Sequence, residues 1–170
     1  MQLTKMLLAE LQQEAATTRK MLERVPQDAF TWKPHEKSMG MGQLAAHVSN
    51  LFGTWLKSSL SADEYNLNNS GPSGEDNVAA ILESFDRHVA EATKVLKNQA
   101  DEGMLNMWRL KRGEQVLFEL PRWVVVRSMV FNHIIHHRGQ LSVYLRLRDV
   151  PLPPVYGPTA DEMPDILKAG

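Results

Sequence analysis

Cysteine is absent from this 170-residue chain. Disulfides, thiolate ligands and a cysteine nucleophile are therefore excluded, so a metal site would have to use nitrogen and oxygen ligands. Any thiol chemistry would need its sulfur from a small molecule. No apolar run approaches the roughly 20 residues of a membrane-spanning helix, and residues 1–14 do not resemble a signal peptide. We therefore expect a soluble, cytoplasmic protein with no membrane partner.

The chain also has no large excess of charge of either sign. Acidic and basic residues are interspersed, and the formal net charge is −1. The densest basic patch, residues 109–112, is too short to neutralise a run of phosphates, so we expect no nucleic-acid partner. Hydrophobic residues make up 43% of the chain, which is ordinary for a globular protein of this size. The length favours a single domain over residues 1–170.

Apolar residues recur at helical spacing in four separate segments of the chain. Each segment would bury one apolar face, and four helices of this length are typical of a four-helix bundle. We therefore predict an all-α fold. The predicted helices cover residues 3–24 and 41–60, a third stretch that starts at residues 73–76 and ends near residue 99, and residues 121–148.

The connections differ in character. Residues 61–74 are polar and predict a long loop along the outside of the bundle. Ser73 with Asp76 is typical of a helix start, and Pro121 suits the first turn of the fourth helix. Residues 105–120 predict a small β-hairpin before the last helix, with its turn at Arg112–Gly113.

The fourth predicted helix carries two histidines in the middle of an apolar face. Burying two unpaired imidazoles is unfavourable unless something binds their lone pairs. A third histidine, His47, lies inward on the second helix beside Leu44 and Leu51. Three inward histidines on two helices predict a metal site with room for water or substrate. The stripe on the fourth helix consists of Val126, Val130, His133, His137, Leu141 and Tyr144.

The remaining histidines fit the site less well. His136 falls at the edge of the apolar stripe, so we expect it at the rim. His88 lies near the inner edge of the third helix and favours a structural hydrogen bond, while His35 lies in a connector and is expected to be exposed. Glu14 is close to the inner stripe of the first helix. We interpret it as a solvated charge, with a proton acceptor near the site as the alternative.

Three neutral imidazoles without a thiolate suit zinc, nickel or another first-row divalent ion. Water in the open position would be acidified and supply hydroxide. A thiol in the same position would be deprotonated instead. The residues alone leave both chemistries open.

Three parts of the chain together resemble the DinB-like (damage-inducible) proteins, which include the YfiT-type metal-dependent enzymes. The histidine motif lies at residues 132–141, and the second-helix segment combines residues 32–34, Ser38 and Met39 with residues 44–47. Residues 150–154 and 156–162 resemble the usual C-terminal end of the family.

This resemblance implies an up-down-down-up four-helix bundle with a divalent ion on His47, His133 and His137. It also implies a homodimer. Some relatives are thiol-dependent transferases or isomerases that use bacillithiol, mycothiol or glutathione.

Three functions remain as hypotheses, two of them acting on a small-molecule substrate. The resemblance favours a metal-dependent thiol S-transferase that acts on small electrophiles. The first alternative is a metal-dependent hydrolase that uses metal-bound water. The second is a non-catalytic stress protein that the metal stabilises.

Overall fold

The computed structural model describes residues 2–71 and 74–164, which form four long helical segments and a small mixed sheet. The second and fourth segments are each interrupted by a π-helical turn. In chain order the helical elements are α1 (Leu3–Leu22), then α2 (Met41–Asn50), a π-turn (Leu51–Leu56) and α3 (Lys57–Ser61), then α4 (Val78–Lys97), and finally α5 (Arg122–Val125), a π-turn (Val126–Phe131) and α6 (Asn132–Arg146).

All four predicted helices are present, with bounds close to those expected. The third helix begins at Val78, because the side chain of Asn77 accepts a hydrogen bond from the backbone N–H of Ala80 at 2.9 Å. The expected start at Ser73 lies outside the described residues. Ile81 and Phe85, both predicted to face inward, are buried.

The predicted hairpin is confirmed, but the sheet is larger than a hairpin. Strand β1 (Glu64–Asn66) pairs in parallel with β2 (Met107–Arg112), and β2 pairs in antiparallel with β3 (Gln115–Pro121). The chain is mostly helical as expected, but the sheet exceeds the small hairpin that accompanied the all-α prediction, and the expectation of an unstructured loop throughout residues 61–74 was wrong. Pro121 closes β3, and the helix begins one residue later.

The extra strand depends on a tertiary contact that no local pattern announces. The hairpin turn contains Gly113 at φ +58°, a conformation that glycine adopts without strain. The side chain of Asn66 bonds both backbone groups of this glycine, donating to its carbonyl and accepting from its N–H, each at 3.1 Å. This three-residue strand is therefore held at the edge of the sheet by its backbone pairing with β2 and by the amide side chain of Asn66.

Contacts between the helical segments define their relative directions. The first segment runs antiparallel to α4, whereas the second segment runs parallel to α4. The second and fourth segments are antiparallel, and their π-turns pack against each other. The first two directions follow from the pairs Thr4 with Asp101, Arg19 with Asp86, Ser49 with Ile81 and Lys57 with Glu91.

The main hydrophobic core lies between the helical segments, and a smaller one lies under the sheet. Trp108, Leu110 and Val125 form the smaller core, and the indole N–H of Trp108 donates to the carbonyl of Ser58 at 3.2 Å. Within the described part of the chain, no helix combines the length and the apolar character that crossing a membrane requires.

Candidate metal centre

The three histidines predicted as ligands meet at the contact between the second and fourth helical segments. His47 lies on α2, and His133 and His137 lie one turn apart on α6. A π-turn follows His47 and another precedes His133. Because π-turns occur often at functional sites, their position beside the histidines marks this contact as a candidate site.

The imidazole rings converge on one point. The Nε2 atoms of His47 and His133 are 3.3 Å apart. The ring centroid of His47 lies 4.5 Å from that of His137, and the centroids of His133 and His137 are 4.7 Å apart. One candidate ligand atom from each ring lies within 4.8 Å of the others. Three nitrogen atoms at this spacing could hold a single metal ion.

Hydrogen bonds orient two of the three rings. Nδ1 of His133 lies 3.3 Å from the carbonyl oxygen of Met129, in the π-turn, and Nδ1 of His137 lies 2.7 Å from Oε1 of Gln140. An oxygen of this kind only accepts, so each Nδ1 carries the proton. Nε2 of both rings therefore keeps its lone pair, the tautomer that a metal ligand needs.

Burial keeps the cluster uncharged. Desolvation, followed by the neighbouring His137 and His133, lowers the pKa of His47 from 6.5 to about 4. Desolvation is also the main reason that the pKa values of His133 and His137 are lowered. All three rings are therefore neutral at pH 7, and protons do not compete there for their lone pairs.

The other histidines lie outside the cluster. His136 is exposed on the neighbouring position of α6, and His35 is exposed in its connector. Nδ1 of His88 lies 3.0 Å from the carbonyl oxygen of Ser49. Its ring also packs against the π-turn, where a side chain at Gly53 would come within 2.5 Å of it. These positions agree with the rim, exposed and structural interpretations made from the sequence.

The interpretation of Glu14 as a solvated charge was wrong. Glu14 is buried, its Oε2 lies 2.8 Å from Nη1 of the buried Arg138, and both its carboxylate oxygens accept from the hydroxyl of Tyr156. It therefore belongs to a structural network. The sequence reasoning missed Arg138 and Tyr156, although a carboxylate on an inner helix stripe was itself a signal for a buried cation.

A cavity of about 780 Å³ opens beside the cluster. His47 is the member of the cluster that lines it. Residues of α2, the π-turn that follows it and α4 form much of the wall, together with residues 65, 69–71, 74 and 75; Asn50, Glu75 and Arg87 are among them. The volume is sufficient for a small organic molecule.

The mostly helical fold and the inward histidine cluster beside a cavity place this protein in the class of helical proteins that could hold a metal ion. The chain belongs to the DinB family, whose model matches residues 1–166.

Known relatives of this chain agree with the family. It is 24% identical over 132 residues to the uncharacterized protein YjoA of Bacillus subtilis, covering 76% of this chain and 80% of that protein. The crystal structure of the same DinB-like protein superposes with a TM-score of 0.67 at 17% identity, covering 88% of this chain and 96% of that one. A DinB-like protein from Bacillus cereus gives 0.69 at 18% identity, covering 88% and 95%. At these identities the structural likeness shows the fold alone.

Proposed function

We propose that this protein binds a divalent metal ion, with zinc or nickel the best suited, through His47, His133 and His137. We further propose that it is an S-transferase that joins a low-molecular-weight thiol to a small electrophile. The observation that carries the metal site is the convergence of three neutral imidazoles on one point. An all-nitrogen ligand set of this kind fits first-row divalent ions.

The cavity supports a reaction with small molecules. An ion held by three histidines would keep coordination positions open to water or substrate. A divalent ion there would supply Lewis acidity, which lowers the pKa of a bound thiol or water. The protein's own contribution is to orient two of the rings, because Nδ1 of His133 donates to the carbonyl of Met129 and Nδ1 of His137 donates to Oε1 of Gln140. Because the chain has no cysteine, the sulfur must come from the cosubstrate.

Elemental analysis of protein purified without a histidine tag tests the metal site. We expect about one ion per chain in the native protein. His47→Ala, His133→Ala and His137→Ala should each lose it. His136→Ala is the matched control, because His136 is exposed on the same helix and should retain the ion. Retention of the ion by all three cluster variants would overturn the site.

A substrate screen tests the reaction. The metal-loaded protein is incubated with an activated chloroarene and a panel of low-molecular-weight thiols, and thioether formation is followed. A metal-dependent rate that requires thiol supports the transferase. Hydrolysis of an ester or amide without thiol would establish the hydrolase instead. A large loss of melting temperature on chelation, with no turnover of any substrate, would identify a metal-stabilised, non-catalytic protein.

We also propose that the helical segments form one domain, an up-down-down-up four-helix bundle. The parallel contact of the second segment with α4 and the antiparallel contact of α1 with α4 support this order. A homodimer is proposed as well, supported by the exposed Val143 on α6 and the exposed Leu147, four residues later at the C-terminal cap of that helix. Sedimentation would test it. A cytoplasmic location suits a reaction that needs reduced thiols.

A further inference from the structure

Arg87 differs from the other arginines of this chain in its surroundings. Counting carboxylates of the described residues, seven of the ten arginines lie within ion-pair distance of one, and the other three are Arg87, Arg112 and Arg148. The guanidinium of Arg148 lies over the ring of Trp32, and Arg112 is exposed beside the hairpin turn. Of the three, Arg87 alone lines the cavity that His47 also lines.

The Arg87 guanidinium is held at the cavity wall. Its Nη2 donates to Oγ of Ser84 at 3.0 Å, and Ser84 is itself buried one turn earlier on α4. One hydrogen bond occupies one of the five N–H donors of a guanidinium. The remaining donors keep a planar fork that matches a carboxylate.

The acidic side chain of the same cavity does not neutralise this charge. Glu75 lies 3.5 Å from Nδ2 of Asn50, on the α2 side of the cavity, and it forms no ion pair with Arg87 within 4.0 Å among the described residues. The cavity therefore carries its positive charge at Arg87 and its negative charge elsewhere. An anion entering it would be attracted to the α4 wall and repelled from Glu75.

Aromatic side chains form another part of the wall. Trp55 and Tyr65 line the cavity with ring centroids 5.9 Å apart. Flat apolar rings of this kind favour the apolar body of a ligand.

We propose that this cavity binds a small carboxylate, with the carboxylate group on Arg87 and the apolar body against Trp55. The inference deepens the proposed function, on which it rests for the role of the ligand as a substrate. The inference names the class of that substrate, which is a small carboxylic acid with an apolar body. Arg87 is then the residue that selects the charge of the substrate.

Nuclear magnetic resonance titrations test the proposed carboxylate site. They use two ligands that differ in the charge of the head group, phenylpropionate and its neutral amide phenylpropanamide. The titrations follow the indole N–H of Trp55, with the buried Trp108 indole as an internal reference. They use the full chain, both zinc-loaded and metal-free, so that a carboxylate bound to metal is separated from one bound to Arg87. We expect the acid to bind about three- to tenfold tighter than the amide in both forms.

Three variants complete the test. Arg87→Gln should abolish the preference for the acid, whereas Arg112→Gln, an equally exposed arginine outside the cavity, should keep it. Glu75→Gln should increase the preference, because it removes the negative charge of the cavity. No preference or no binding in the native metal-free protein, or an unchanged preference in Arg87→Gln, would overturn the inference. A failure of the protein to bind zinc would refute the metal site and leave this result intact.

Discussion

Two neighbouring residues of α6 belong to two buried polar clusters of opposite character. His137 points into the cluster with His47 and His133, where three neutral rings face one another. Arg138, the next residue, enters a network in which it contacts the carboxylate of Glu14 and donates to the hydroxyls of Thr18 and Tyr156. A single helix thus supplies side chains to both clusters.

The two clusters differ in whether each hydrogen-bond donor faces an acceptor. In the Arg138 network, the guanidinium donates to the carboxylate of Glu14 and to the hydroxyls of Thr18 and Tyr156, so donors meet acceptors and opposite charges meet. In the histidine cluster, His133 and His137 hold their protons at Nδ1 and present their remaining lone pairs to the same space. A complete network stabilises a fold, whereas imidazole lone pairs that converge on one space could bind an additional cation. The contrast separates a structural cluster from a binding site without reference to activity.

Replacing Arg138 should give the largest effect, on stability. Arg138→Met leaves the Glu14 carboxylate buried without its cation, and we expect it to lower the free energy of unfolding by about 3–5 kcal/mol. In the metal-free protein, His137→Ala should destabilise the fold much less, because it leaves no charge unpaired. Urea denaturation of both variants measures the difference.

Two further variants check this interpretation. Arg24→Met breaks an ion pair with Glu162 in which both side chains are partly exposed to solvent, and it should have a much smaller effect. Combining Arg138→Met with Glu14→Met should restore part of the lost stability. Equal losses for Arg138→Met and His137→Ala would contradict the comparison.

Sequence periodicity could predict the histidine cluster because its residues obey a simple geometric rule. His133 and His137 lie one turn apart within regular α-helix, so the apolar stripe placed both rings inward. The Arg138 network does not follow from the same rule. Helical periodicity assigns charges to the outer face by default, and the partner of Glu14 is 124 residues away in the chain.

Strand β1 and the two π-turns could not be predicted from the local sequence either. Strand β1 is three residues long and depends on the contact of Asn66 with a turn formed 47 residues later. The two π-turns have no residue signature, and the predicted helices passed through them without interruption. The four helices could be predicted because each buries its own apolar stripe.

Acid should lower the stability of the metal-free fold through protonation of the histidine cluster. The pKa of His47 is lowered to about 4, and those of His133 and His137 are lowered as well, so the unfolded chain binds more protons than the folded one between about 4 and 6.5. Stability should therefore be complete above pH 6.5 and fall as the pH drops through this window. The loss should be smaller than that of Arg138→Met, since His47 and His133 are only half-buried.

Melting temperatures measured in a chelator from pH 7 to pH 4 would test this dependence. His47→Gln removes the most shifted group and should show a shallower decline than the native protein. Carboxylates titrate in the same window in both proteins, so the difference between the two curves isolates the imidazole. Parallel curves would contradict the prediction.

Replacing Gln140 should have the smallest effect of these variants, and the effect should be on the affinity for metal. Its Oε1 accepts the Nδ1 proton of His137 at 2.7 Å, which fixes the tautomer and orients the ring. Loss of such a partner typically weakens metal binding by at least about tenfold, or about 1.4 kcal/mol. We therefore expect Gln140→Ala to raise the Kd for zinc by this factor in a competition titration with a chelator. Stability without metal should hardly change.

Gln140→Glu provides the matched control. A carboxylate at this position still accepts the Nδ1 proton, so the affinity for zinc should be kept or increased. Because Gln140 is exposed, neither substitution disturbs the core. If Gln140→Ala and Gln140→Glu bind zinc equally well, His137 does not need this partner to act as a ligand. If only the acceptor-bearing variant retains native affinity, the hydrogen bond serves the metal site, in contrast to the bonds of Arg138, which serve the fold.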